Sequence, residues 1–119
     1  MSRALGAQAE ARAAEFLQRK GYRVVDRNWT CRGGEIDLVC LDRAGTLVFV
    51  EVRARASARH GTPLETVVDG KRRRLVRAAE IYLHVKGMHD HACRFDVVAL
   101  VGVGAGELIE HVEDAFGAT

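Results

Sequence analysis

Three residues have the types and spacing to do chemistry: Asp37, Glu51 and Arg53. Residues 35–41 and 47–53 are mainly apolar runs that flank Asp42, Arg43, Ala44, Gly45 and Thr46, the pattern of a β-hairpin. If Leu41 faces Leu47 across that loop, Val39 faces Phe49 and Asp37 faces Glu51, all on one side because strand side chains alternate. Directly opposed residues have Cβ atoms about 4.5–5.5 Å apart. Like charges so placed destabilise a sheet, so either one carboxyl is protonated or a cation sits between them. Mg²⁺ or Mn²⁺, hard cations that prefer oxygen ligands, suit that position. Arg53, two residues after Glu51, shares its face and can hold a phosphate or the charge that develops on it in a transition state. The competing readings are a register shifted by one residue and a plain Glu51–Arg53 ion pair.

A second concentration of charge is Lys71, Arg72, Arg73 and Arg74, followed by Arg77. They fall at the expected start of a helix, whose partial positive charge disfavours cations there unless an anion is near. A nucleic-acid phosphate is the natural anion. On a helical wheel Lys71 lines up with Leu75, Ala78 and Tyr82 on the inward side, whereas Arg73, Arg74 and Arg77 point outward. Lys71 can therefore reach the acidic site, and the outward arginines can meet backbone phosphates. The bland alternative is a solvated charge run screened by Asp69 and Glu80. Arg55, Arg59 and His60 follow the site strand in a polar stretch that suits a substrate clamp or, equally, an ordinary exposed loop. His89, His91 and Cys93 alternate but read better as a polar loop than as a soft-metal site.

The elements that must position these residues follow from periodicity. Residues 2–20 form a helix with Ser2 as N-cap, a buried stripe of Leu5, Ala9, Ala13, Phe16 and Leu17, and Gly21 closing its end. Glu10 sits at the edge of that stripe, where it is either an exposed helical glutamate or a third carboxylate reaching toward the sheet. Strands are expected over 22–29, 35–41, 47–53 and 94–101, the third and fourth apolar on both faces and so central. Residues 54–62 read as a loop, Pro63 as a change of direction, and 70–85 as a second helix capped by Asp69. A glycine-rich turn at 102–106 leads to a short edge strand at 107–112 and a fraying tail.

Composition sets the frame. A chain of 119 residues, 48% apolar and 29% charged, suits one globular domain over 1–119. The net charge of +2 is too small to imply a nucleic-acid partner, so the clustering of basic residues carries that argument. Cys31, Cys40 and Cys93, an odd number without zinc-knuckle spacing, fit free thiols in a reducing cytoplasm. No apolar run approaches the roughly 20 residues that span a bilayer, and no secretory segment is visible, so no membrane partner is expected.

Taken in order, the motifs support a family resemblance. Gly6 with Glu10, Asn28, Gly34-Glu35-Ile36-Asp37-Leu38-Val39, and the run from Val48 to Arg55 resemble the bacterial YraN family. So do Gly61-Thr62-Pro63, Val68-Asp69, residues 71–75 and Arg94-Phe95-Asp96. That family is similar to restriction-endonuclease-like, or PD-(D/E)XK, nucleases and to archaeal Holliday junction resolvases. The resemblance implies an α/β fold, a mixed sheet flanked by helices in the order α-β-β-β-α-β(-β). It implies a Mg²⁺- or Mn²⁺-dependent endonuclease acting on DNA, including branched DNA. Asp37, Glu51, the backbone carbonyl of Val52 and Glu10 would hold the metal, and Arg53 would stand at the basic catalytic position. The nuclease motif has lysine where this chain has Arg53. Lysine can lose its proton to act on water and arginine cannot, so a nucleic-acid-binding module that does not cleave is the alternative. A second departure is Ala9, where relatives often carry glycine. Junction-cleaving relatives act as dimers, but the sequence shows no dimer seam, so a homodimer stays open.

Overall fold

The computed structural model describes residues 3–55, 69–102 and 107–117. The elements run α1 (Arg3–Arg19), β1 (Arg23–Cys31), β2 (Gly34–Leu41), β3 (Leu47–Arg55), α2 (Asp69–Val85), β4 (Cys93–Val101) and β5 (Leu108–Phe116). The expected α/β order is therefore present, with the final strand included. The Ser2 cap, the clamp residues Arg59 and His60, Pro63 and most of the glycine-rich turn lie outside the described residues, as do the side chains of Leu5, Arg55 and Asp69.

The five strands form one sheet in the order β1-β2-β3-β4-β5. Only β3 and β4 run parallel, as a pair joined through a helix must; the other neighbours are antiparallel. The middle strand β3 is apolar on both faces because it is covered on both. Val48, Val50 and Val52 face the α1 side, where Ala9, Ala13 and Leu17 are buried with Leu38, Cys40, Val98 and Leu100. Leu47 and Phe49 face the α2 side, with Ile36, Val39, Phe95 and the helix residues Leu75, Ala78, Ala79 and Tyr82. Fully burying a side chain such as Phe49 contributes about 1.5–3 kcal/mol, so these two layers dominate the stability.

Both helices end in the same way. Gly21, at φ 93, lets its N–H donate to Gln18 and the Tyr22 N–H donate to Leu17. Gly87, at φ 65, repeats the pattern with His84, and Met88 with Leu83. These are Schellman closures, in which a left-handed residue turns the chain back onto the last carbonyls.

The last strand differs from expectation. It extends to Phe116 rather than ending at Val112, because Phe116 stacks on Phe95 at 5.2 Å and lies beneath the Arg72 guanidinium. Between Phe95 and Val97 the β4–β5 register shifts, β5 passing from Val112 to Phe116 over the same stretch. The bulge aims the Asp114 N–H at the fully buried Asp96, 3.0 Å from Oδ1. Arg94 Nε donates to the same oxygen at 3.0 Å, and His111 Nε2 lies 2.7 Å from Oδ2. Arg94 also reaches Asp42 and the Tyr22 hydroxyl. Lys20 Nζ lies 2.8 Å from His111 Nδ1. An ammonium only donates, so Nδ1 accepts and Nε2 carries the proton toward Asp96.

Candidate functional site

The β2–β3 ladder has the expected register, with Leu41 opposite Leu47 and Val39 opposite Phe49, but it ends at Leu38 and Val50. Asp37 and Glu51 are thus not a ladder pair; they sit where the two strands part. Asp37 instead accepts a hydrogen bond from the Val52 N–H at 2.8 Å. On its other side the β1–β2 register brings Asn28 opposite Asp37, between the pairs Arg27–Leu38 and Trp29–Ile36. Asn28 has φ 49, a left-handed conformation that asparagine tolerates better than most residues.

Three carboxylates meet in this opening as a chain rather than a cage. Asp37 contacts Glu51 on one side and Glu10, from α1, on the other. Burial pushes the Asp37 carboxyl up to about 7, and the charge of Glu51 adds to the rise against the Val52 N–H and Lys71, which favour the ionised form. Burial and the charge of Asp37 also raise Glu10, opposed by its hydrogen bond with Asn28. Among the described residues no group of three or more His, Cys, Asp or Glu side chains is drawn together as a metal cage. Glu10, Asp37 and Glu51 are in contact one after the other, with Asp37 in the middle. Asp37 thus bridges the Val52 N–H and Glu10 of α1 to Glu51, which in turn faces Lys71 of α2.

Glu51 is 3% exposed and has two cations beside it. Lys71 Nζ lies 2.6 Å from Glu51 Oε1 and Arg53 Nη1 3.6 Å from the same oxygen. Neither approach is an aligned hydrogen bond, and Oε1 is buried without a hydrogen-bond partner among the described residues. Lys71 is on the inward side of α2, as its wheel position predicts.

The remaining basic residues spread around the first turns of α2. Arg72 lies over the Phe116 ring at 5.3 Å, Arg73 and Arg74 are exposed, and Arg77 passes over Gly33. Arg55 ends β3. The tip of the β1–β2 hairpin is pressed against α2: a methyl group on Gly34 would stand 2.5 Å from the Arg74 carbonyl oxygen. Between hairpin tip and helix lies a cleft of about 500 Å³, lined by Thr30, Cys31, Glu35, Lys71 and Arg74 among others, with Glu51 at its base. Neither the cleft nor the role of Asn28 was readable from periodicity. The Gly33-Gly34 pair is the one sequence signal that marks a close backbone approach there.

A five-stranded mixed sheet with a helix on each face, carrying carboxylates and cations where its central hairpin opens, defines a small α/β domain with the element order that the nuclease resemblance implies. The chain belongs to the family described as uncharacterised protein family UPF0102, which matches residues 9–100. A UPF0102 protein of Chromohalobacter salexigens is 50% identical over 117 residues, covering 98% of this chain and 94% of that protein. One from Ralstonia pickettii is 49% identical over 117 residues, covering 96% and 90% respectively. One from Burkholderia ambifaria is 53% identical over 117 residues, covering 98% and 79%.

Proposed function

We propose that this protein is a metal-dependent endonuclease that hydrolyses DNA phosphodiesters, branched DNA included, in the cytoplasm. The observation that carries the reading is the Asp37–Glu51 pair at the opened hairpin, with a buried carboxylate oxygen that has no hydrogen-bond partner among the described residues. An all-oxygen donor set of this kind fits a hard divalent cation such as Mg²⁺ or Mn²⁺. Asp37 and Glu51 would hold it, with the Val52 carbonyl and Glu10 completing the shell. When bound, such an ion supplies an activated water and neutralises charge on the leaving oxygen. Arg53 holds the phosphate and its developing negative charge. Lys71, released from Glu51, adds a second cation to that phosphate. Arg55, Arg72, Arg73, Arg74 and Arg77 supply backbone contacts along the strand. A homodimer would let two symmetric strands be cut together.

The second reading, a binding module that does not cleave, draws on Lys71 and Arg53. The two cations already neutralise Glu51, and arginine at the motif position has no proton to give up at ordinary pH.

The deciding measurement is cleavage of end-labelled single-stranded and branched DNA with Mn²⁺, alongside binding at low salt. The enzyme reading expects cleavage by the wild type, and its loss in Asp37→Ala with binding retained. Binding without cleavage across substrates and metals gives the module. No binding at low salt sinks both, since phosphate contacts are strongest there.

A further inference from the structure

We propose that the cleft between the β1–β2 hairpin tip and α2 is a pocket for one unpaired nucleotide of the strand, seated beside Glu51. The inference rests on the nucleic-acid reading above and deepens it by naming the form of substrate. At about 500 Å³ the cleft falls within the range of sites that enclose a small molecule. It is far too small for a duplex.

Its two walls differ in chemistry. Arg74 and Lys71, the latter paired with Glu51, line the helix side, and Glu35 and Thr30 line the hairpin side. A nucleotide therefore enters with its phosphate toward α2 and its base toward the hairpin, where a carboxylate can accept from an exocyclic amine. The walls are also fixed in place. Gly34 lies so close to the Arg74 carbonyl that no Cβ fits between them, and Arg77 packs over Gly33. A base held in a duplex can enter only by unstacking and unpairing, which costs a few kcal/mol, whereas an unpaired base enters without that cost.

Cys31 lines the cleft and reports on it. Cys40 is buried, and burial pushes its thiol up to about 12, so it does not compete for an alkylating agent. Cys93 is exposed and is removed as Cys93→Ser. The experiment measures iodoacetamide alkylation of Cys31 in that variant without divalent metal, free and saturated with a mixed-sequence single-stranded oligonucleotide or its blunt duplex. Saturation is verified by fluorescence anisotropy. The single strand should slow Cys31 alkylation about tenfold, and the duplex should leave it nearly unchanged. Arg74→Ala should weaken single-strand binding about tenfold while the melting temperature holds. Saturating single strand that leaves Cys31 reacting at its free rate overturns the pocket but leaves nucleic-acid binding standing. Equal protection by duplex overturns the preference for an unpaired nucleotide. Failure of either oligonucleotide to bind at low salt removes the pocket together with the reading beneath it.

Discussion

Two buried carboxylates on neighbouring parallel strands have opposite fates. Asp96 in β4 pairs by register with Val50, one residue before Glu51 in β3. Asp96 receives donors from Arg94, His111 and the Asp114 backbone. Burial alone would raise its pKa, but these donors outweigh it and hold the carboxyl below the usual range. Glu51 is also buried, yet its Oε1 has cations beside it but no hydrogen-bond partner among the described residues, and its neighbour Asp37 is driven toward neutrality. The difference separates a carboxylate fully satisfied by hydrogen bonds from one held by ion pairs alone at one oxygen. A buried polar group left unsatisfied in a native structure calls for an explanation, such as a catalytic role or a bound water or ion.

The largest effect should come from breaking the satisfied member. Asp96→Ala leaves Arg94 and His111 without their anion and should cost about 3–5 kcal/mol, read from denaturant unfolding. A loss below about 1 kcal/mol would erase the contrast with Glu51. Asp37→Asn should act in the opposite direction. Asp37 has a folded pKa of about 7, against about 3.9 in an unfolded chain. Between those values the native state binds the extra proton, so stability falls as pH rises through the window. The asparagine variant escapes this and should exceed the wild type by about 1–3 kcal/mol at pH 8, the gap closing toward pH 4. Asp96, lowered in the fold, behaves the other way. Its contribution is complete above about pH 4 and is lost as pH falls through its native pKa. Melting curves across pH should thus show wild type and Asp37→Asn separating on the alkaline side and sharing the acid decline. The smallest change is Tyr22→Phe. It removes a hydroxyl that accepts from Arg94 and donates to Glu113, and should cost about 0.5–1.5 kcal/mol.

The parts of the molecule that were legible are those set by apolar period. Ala9, Ala13 and Leu17 identify the buried side of α1, and Leu47 to Val50 announce a strand covered on both faces. The pairing of Leu41 with Leu47 followed from the loop length. Where the ladder stops, at Leu38 and Val50, was hidden, because no change in residue pattern marks it. Asp96 entered only as part of the Arg94-Phe95-Asp96 motif, and its buried role was hidden because its partners Arg94, His111 and Asp114 are spread over β4 and β5. The length of β5 was missed because its charged, irregular pattern reads as tail, whereas its pairing with β4 resumes at Phe116, which stacks on Phe95. For the site, residue types and neighbourhood were visible in Asp37, Glu51, Arg53 and Lys71. The hydrogen bond from Val52 to Asp37 was not, because it needs the splay.

The bulges have a consequence for association. A second register shift lies between Val24 and Asp26 in β1, so both edge strands are bent out of a straight ladder. Arg23 and Arg27 mark one edge and Glu110, Glu113 and Asp114 the other. A sheet edge recruits foreign strands through a straight row of free N–H and C=O groups, and bulges with charge disrupt that template. Two copies that meet would do so through a face or a helix rather than by extending the sheet. A domain with so apolar a centre is thereby kept from seeding its own aggregation.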